Sequence, residues 1–296
     1  MGLLAAQRQL YRHAKRVLAT QIALLVFLPG VLSALALHNP AWRPWASIIA
    51  IAALVIDVLV LEPLLRSKRL HGASVQEAFD VQVFGLDWPS WRLTSRPDPE
   101  LIQDTSTHIL ASARERSRLH GWYPSAISRL SDLRAILVCQ RYNVLYGLRI
   151  RRPVALTLLL LVAAICVGFL ALTVYLDLKL ADALLSVAVP ALPMLSWSWR
   201  EYVRQRDHVA TQERIKSSIE KAIAEVSTGA LSGTAVSERV RHLQSEILAA
   251  RISDPLIFDW IYLLLRPRNE KTMAAAAEDY VDDVLGVRSL QRSGSA

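Results

Sequence analysis

Pro153 to Leu176 reads PVALTLLLLVAAICVGFLALTVYL, 24 residues without a charge. At about 1.5 Å per residue such a helix crosses the roughly 30 Å hydrocarbon core of a bilayer. Upstream, Val17 to Leu37 is uncharged over 21 residues, and Trp45 to Leu65 carries only Asp57 and Glu62. Downstream, Ala183 to Trp199 gives 17 uncharged residues broken by Pro190 and Pro193, which predicts a short, kinked fourth span. The expected fold is an α-helical integral membrane protein with four transmembrane helices in two pairs. A mainly α domain is expected from the insert between the second and third spans together with the C-terminal helices.

Basic residues orient the spans, because cytoplasmic flanks retain Lys and Arg. Arg8, Arg12, Lys15 and Arg16 precede the first span, Arg66, Lys68 and Arg69 follow the second, Arg149, Arg151 and Arg152 precede the third, and Arg200, Arg204 and Arg206 follow the fourth. All lie on one side, which predicts cytoplasmic termini and a cytoplasmic insert. The expected organisation is a cytoplasmic N-terminus over 1–16, a span hairpin over 17–65, the insert over 66–152, a second hairpin over 153–199, a helical region over 200–285 and a disordered tail over 286–296. A cleavable leader competes for the first span, but 21 apolar residues exceed the about 7–15 of a leader and a second span follows at once. Cys139 and Cys166 are the two cysteines, too few for a disulfide framework.

The insert holds 14 basic against 8 acidic residues. Six of the 14 flank the spans as topology markers, so the charge excess alone is a weak argument for an anionic ligand. Periodicity predicts helix from His71 toward Trp88, a short extended piece, helix over Leu101 to Leu119, and one long helix from Ser125 to Arg149. Beyond the fourth span, Ile215, Ile219, Ile223 and Val226 share a face, and Val236, Val240, Leu243 and Ile247 form the seam of a helix with Thr234 as N-cap. Leu256 to Leu265 is too short to span, and Asn269 to Leu285 reads as a last amphipathic helix. The chain shows no Walker loop, no Gly-x-Ser-x-Gly elbow and no Cys-x-x-Cys, and His71, Glu77 and Asp80 lack the spacing of a zinc helix. The expectation is therefore no catalytic residue, no metal and no cofactor.

In the spans, Asp57 is the one deep ionisable residue, and such residues face a bundle interior or water. It reads as pore-lining or interhelical, or else as a neutral hydrogen-bonded acid. Glu62 lies nearer the interface, with Arg66 one turn away as a partner. Pro29-Gly30, Pro190 and Pro193 are candidate hinges, and Ala164 and Gly168 permit close helix approach.

Three islands carry a family resemblance: Gln76-Glu77-Ala78-Phe79-Asp80 running into Val83-Phe84-Gly85-Leu86-Asp87-Trp88, Cys139-Gln140-Arg141-Tyr142-Asn143 followed by Leu148-Arg149, and Arg241-His242-Leu243-Gln244 followed by Ile247, Arg251, Asp254-Pro255, Tyr262 and Arg266. In this order around two pairs of spans, the chain resembles the SMODS-associated four-transmembrane effectors of bacterial anti-phage signalling (CBASS). It departs from that family's pattern in having Asp254-Pro255 where the family places Pro-Asp. The resemblance implies a cytoplasmic sensor of a cyclic oligonucleotide made by a partner synthase, and a bacterial inner-membrane actuator whose spans repack or homo-oligomerise until the bilayer leaks. A membrane-anchored signalling scaffold that binds a partner without forming a pore is the alternative.

Under the first reading Arg141 and Arg149 suit phosphate contacts, Trp88, Trp122 and Tyr123 suit base stacking, and Gln76 or Asn143 suit reading base edges. Glu77 and Asp80, three apart on one helical face, accept purine amines or pair with arginines. Under the competing structural reading Trp88 and Trp122 are core, and a Glu77–Arg141 pair holds the insert together.

Overall fold

A computed structural model describes residues 1–259 apart from 178 and 232, together with 278, 280–282, 284 and 285. Seven α-helices lie wholly among the described residues: α1 (Gly2–His38), α2 (Pro40–Phe84), α3 (Pro99–Leu110), α4 (Ala113–Ser117), α5 (Asp132–Tyr175), α6 (Ala181–Ser227) and α7 (Thr234–Ile252). There is no strand among the described residues. Four of these helices, α1, α2, α5 and α6, are long and apolar enough to cross a membrane, so the protein is a multi-pass helical membrane protein. The expected helix at Asn269 to Leu285, most of Leu256 to Leu265 and the tail fall largely or wholly outside the described residues.

The chain divides into two compact units. A span unit comprises Arg12–Lys68 and Arg152–Asp207, and a core unit comprises Met1–Tyr11, Arg69–Arg151 and His208–Ala296. All four long helices run without a break through the residues where the units divide. This corrects several sequence expectations. The helix over His71 is the continuation of the second span, and it ends at Phe84, where Gly85 takes φ +63°. Ser125 to Arg149 is a 3₁₀ turn over Ser125–Arg129 and then the beginning of α5, which passes through Pro153 into the third span. Leu101 to Leu119 is split into α3 and α4, with Ser112 capping α4 by accepting from the Glu115 N–H. Thr234 is the first residue of α7, and Gly233 at φ +59° takes the N-cap. The expected extended piece after Trp88 is a series of turns.

In the span unit, α1, α2 and α6 each contain one π turn: Ala23–Phe27, Asp57–Leu61 and Leu184–Ala188. Each ends two residues before a proline, and the physical reason is local. A proline has no N–H to give the carbonyl four residues back, and its ring presses on that carbonyl. For Pro29, Pro63 and Pro190 that carbonyl belongs to Leu25, Leu59 and Ser186, the middle residue of the π turn in each case. The residue before each proline closes the wider ring instead, with Leu28 donating to Ala23, Glu62 to Asp57 and Val189 to Leu184.

In the core unit the largest hydrophobic cluster joins Leu137, Val144 and Leu148 of α5, Ile215, Ile219 and Ile223 of α6, and Val236, Val240, Leu243 and Ile247 of α7. The first turns of α1 belong to this unit too: Leu4 and Ala5 pack with Ile109 and Leu119, and Ala6 and Leu10 with Val75. The stretch expected to be a plain N-terminal flank is therefore part of the core.

Candidate functional site

Helical spacing puts Glu77 and Asp80 on one face of α2, one turn apart. Both are buried, at 0% and 1% exposure. Buried carboxylates persist only where donors satisfy them. Here α7 supplies those donors from Arg241, Gln244 and Arg251, which recur on one side of the helix. Arg241 Nη2 donates to Glu77 Oε1 at 2.8 Å, and Gln244 Nε2 lies 2.8 Å from Glu77 Oε2 and 3.1 Å from Asp80 Oδ2. Arg251 Nη1 donates to Asp80 Oδ2 at 2.6 Å and stands 3.8 Å from Glu77 Oε2.

Two further segments close the cluster. Tyr123 OH donates to Asp80 Oδ1 at 3.1 Å and accepts from Asn143 Nδ2 at 3.0 Å. Gln140 Nε2 donates to Gln244 Oε1 and to the Val240 carbonyl, both at 3.1 Å. Burial weighs against the Arg251 charge, but the Asp80 and Glu77 carboxylates outweigh it and hold its pKa above the usual arginine value. Burial, helped by Asp80, raises the Tyr123 phenol and pushes the Cys139 thiol up to about 12, so Cys139 is not a ready nucleophile.

The three sequence islands, separated by some 60 to 100 residues each, thus meet in one cluster: Glu77 and Asp80 from the first, Gln140 and Asn143 from the second, Arg241, Gln244 and Arg251 from the third. The α7 residues were visible only as part of the family pattern, because nothing in their local spacing marks them as partners of α2.

The other expected site residues lie elsewhere. Gln76 accepts from Tyr11 OH at 3.3 Å. Arg141 pairs with Glu220 at 2.7 Å and sits 3.9 Å above the Tyr280 ring, so the partner of Glu77 is Arg241 rather than Arg141. Trp88 donates to the Leu93 carbonyl at 3.2 Å and packs with Ala73 and Leu248, while Trp122 meets Phe79 edge-on at 6.1 Å. Arg149 is exposed. The exposed aromatic beside the cluster is Trp91, at 63% exposure, with the Arg241 guanidinium 5.7 Å from its ring.

The span unit holds a second polar cluster. Asp57 is fully buried, 2.5 Å from both Gln21 Nε2 and Arg200 Nη2, and Trp197 Nε1 donates to Gln21 Oε1 at 3.2 Å. Asp57 is therefore interhelical, tying α2 to α1 and α6. Glu62 receives both Arg204 terminal nitrogens at 2.6 and 3.1 Å, a forked pairing to α6 that sequence spacing with Arg66 did not suggest. Pro190 and Pro193 are both buried in α6, and only Pro190 follows a π turn.

A family model described as the SMODS-associating 4TM effector domain matches residues 1–280. The chain belongs to this family. A "probable CBASS effector molecule" of Bacillus cereus (strain VD146) is 23% identical over 282 residues, covering 92% of this chain and 91% of that protein. No solved structure matches the chain. The match runs through both units, so the family comprises the core unit as well as the four spans that name it.

Proposed function

We propose that this protein is a non-catalytic membrane effector of anti-phage defence, sited in the bacterial inner membrane with the core unit and both termini on the cytoplasmic side. It senses a cyclic oligonucleotide through the core unit and permeabilises the bilayer as its spans repack or oligomerise. The observation that carries this reading is the convergence of the three family islands on one buried ionic cluster in a unit continuous with all four spans. Family membership and the likeness to a probable CBASS effector of Bacillus cereus support the same reading.

The chemistry of a switch is present in Arg241. Its guanidinium is held by the Glu77 carboxylate and the Asp87 carbonyl and is stacked near the exposed Trp91. A phosphodiester competes with a carboxylate for a guanidinium, and a base stacks on an exposed indole. A ligand that took Arg241 from Glu77 would favour the arrangement in which the cluster is open, and differential affinity of this kind is what shifts a two-state equilibrium. The third span supports the oligomer part of the reading: none of its most apolar window is buried within the chain, against 33%, 28% and 39% for the other three.

The test uses the full chain in dye-loaded liposomes with cyclic dinucleotides and trinucleotides added in turn. Dye release with at least one, lost in Arg241→Ala, is the expected result. Vesicles that stay sealed with every nucleotide overturn it, and binding without leakage indicates a scaffold.

A further inference from the structure

The chain passes between its two units four times, and on the core side the crossing residues are Tyr11, Arg69, Arg151 and His208. They lie on four different helices and are separated by 57 to 82 residues in sequence. Three of them contact the same short turn. Arg69 Nη1 donates to the Asp254 carbonyl at 3.4 Å, Arg151 pairs with the Asp254 carboxylate and donates to the Pro255 carbonyl at 2.6 Å, and His208 Nε2 lies 3.2 Å from Asp254 Oδ1. The fourth, Tyr11, lies against α2 at Gly72, where a Cβ would stand 3.1 Å from the ring, and donates to Gln76 one turn on. Its phenol is raised by burial and then by the Asp254 carboxylate, which places it in the same electrostatic neighbourhood.

The turn itself is joined to the ionic cluster. Asp254 follows the last residues of α7, its N–H donates to the Arg251 carbonyl at 3.2 Å, and the Arg251 side chain is the one held by Asp80. Pro255 disfavours helix at Asp254, so α7 stops there in a stiff turn whose carbonyls are turned to Arg69 and Arg151. A helix moves as a rod, so displacing α7 at Arg241 or Gln244, near its middle, also displaces Asp254 just beyond its end.

We propose that the Asp254-Pro255 turn is the coupling node of the protein, gathering α2, α5 and α6 directly and α1 through its packing on α2, and passing a rearrangement of the Glu77–Asp80–Arg251 cluster to all of them together. The inference rests on the functional reading above only for what is transmitted; that the turn holds three of the crossings directly, and α1 through its packing on α2, is independent of it.

The experiment compares the full chain with its Asp254→Asn variant in lipid nanodiscs by hydrogen–deuterium exchange. Faster exchange is expected together in residues 8–14, 66–72, 148–154 and 205–211, while residues 76–82 and 241–247 keep their protection. Change confined to residues 250–258, or to one crossing, overturns the proposal. Where Asp254→Asn does not fold, Arg151→Gln removes the same pair from its other side and must give the same four-part pattern. In the liposome assay the node variant is expected to bind the active cyclic nucleotide as the unaltered chain does while dye release falls at least about tenfold, within the usual range of coupling between sites. Undiminished release overturns the node. If the unaltered chain neither binds nor leaks, the functional reading fails and the exchange pattern still decides the node.

Discussion

Replacing Asp80 with Asn removes one charge from the buried cluster and almost no volume. Arg251, whose side chain is 10% exposed, then loses the carboxylate at 2.6 Å and keeps only Glu77 at 3.8 Å. Breaking a buried pair from one side costs about 3–5 kcal/mol, because the remaining charge stays out of water. The surviving Glu77 contact puts Asp80→Asn near the lower end, about 3 kcal/mol. For a unit of this size that lowers the melting temperature by roughly 6–12 °C. The assay is thermal unfolding of the full chain in detergent by circular dichroism, with Arg251→Met and the double variant alongside. Removing both partners leaves no orphaned charge between them, so the double variant should be more stable than the sum of the singles by at least about 1 kcal/mol. A shift under about 2 °C for Asp80→Asn, or strict additivity, would refute the account of the cluster as mutually dependent charges.

Three other outcomes follow from separate contacts. A Cβ at Gly147 would stand 2.4 Å from Gln212 Oε1, so in Gly147→Ala the displacement of Gln212 should offset the about 1 kcal/mol that alanine gains over glycine inside a helix, and adding Gln212→Ser should release that gain in chemical denaturation. Burial, opposed by Asp254 and aided by Arg151, lowers the His208 pKa to about 4, so the unfolded chain binds this proton first as pH falls below 6.5. Stability should then drop by about 3 kcal/mol between pH 6.5 and pH 4, and His208→Gln should flatten that slope in melts across the range. In the span unit, Asp57→Leu strands Arg200 and Gln21 and should lower the detergent melting temperature more than Asp57→Leu combined with Arg200→Met; equal losses would show that the pair is not coupled.

Four spans are written in the hydropathy pattern, and the seams of α6 and α7 are written in their spacing, since burial of a face depends on a period that sequence displays directly. Val236, Val240, Leu243 and Ile247 are all buried as that period demands. The cluster was half legible. Glu77 and Asp80 stand out as acids in an otherwise apolar helical face, but their partners are fixed by which helices pack together. Arg241 and Arg251 lie more than 160 residues from them. Arg141 was the nearer arginine by motif, and the structure gives it to Glu220. Helix continuity across the unit boundary was hidden for a different reason: the basic residues that mark a membrane edge are good helix formers, so a change of environment need not end a helix. Pro63 was the missed sign in the spans, because it stands between Glu62 and Arg66 at the end of the apolar run, where a proline resembles a boundary.

A π turn contains one residue more than the α turn it replaces, and one residue is about 100° of rotation around a helix axis. The three spans that carry one are therefore each phased in two halves, and a single helical wheel drawn through α1, α2 or α6 assigns the wrong face to everything on one side of the bulge. Asp57 sits at such a phase boundary, so the inward direction of the segment before it and of the segment after it are set separately. A relative one residue shorter in that span keeps both halves facing correctly only if the missing residue comes out of the π turn.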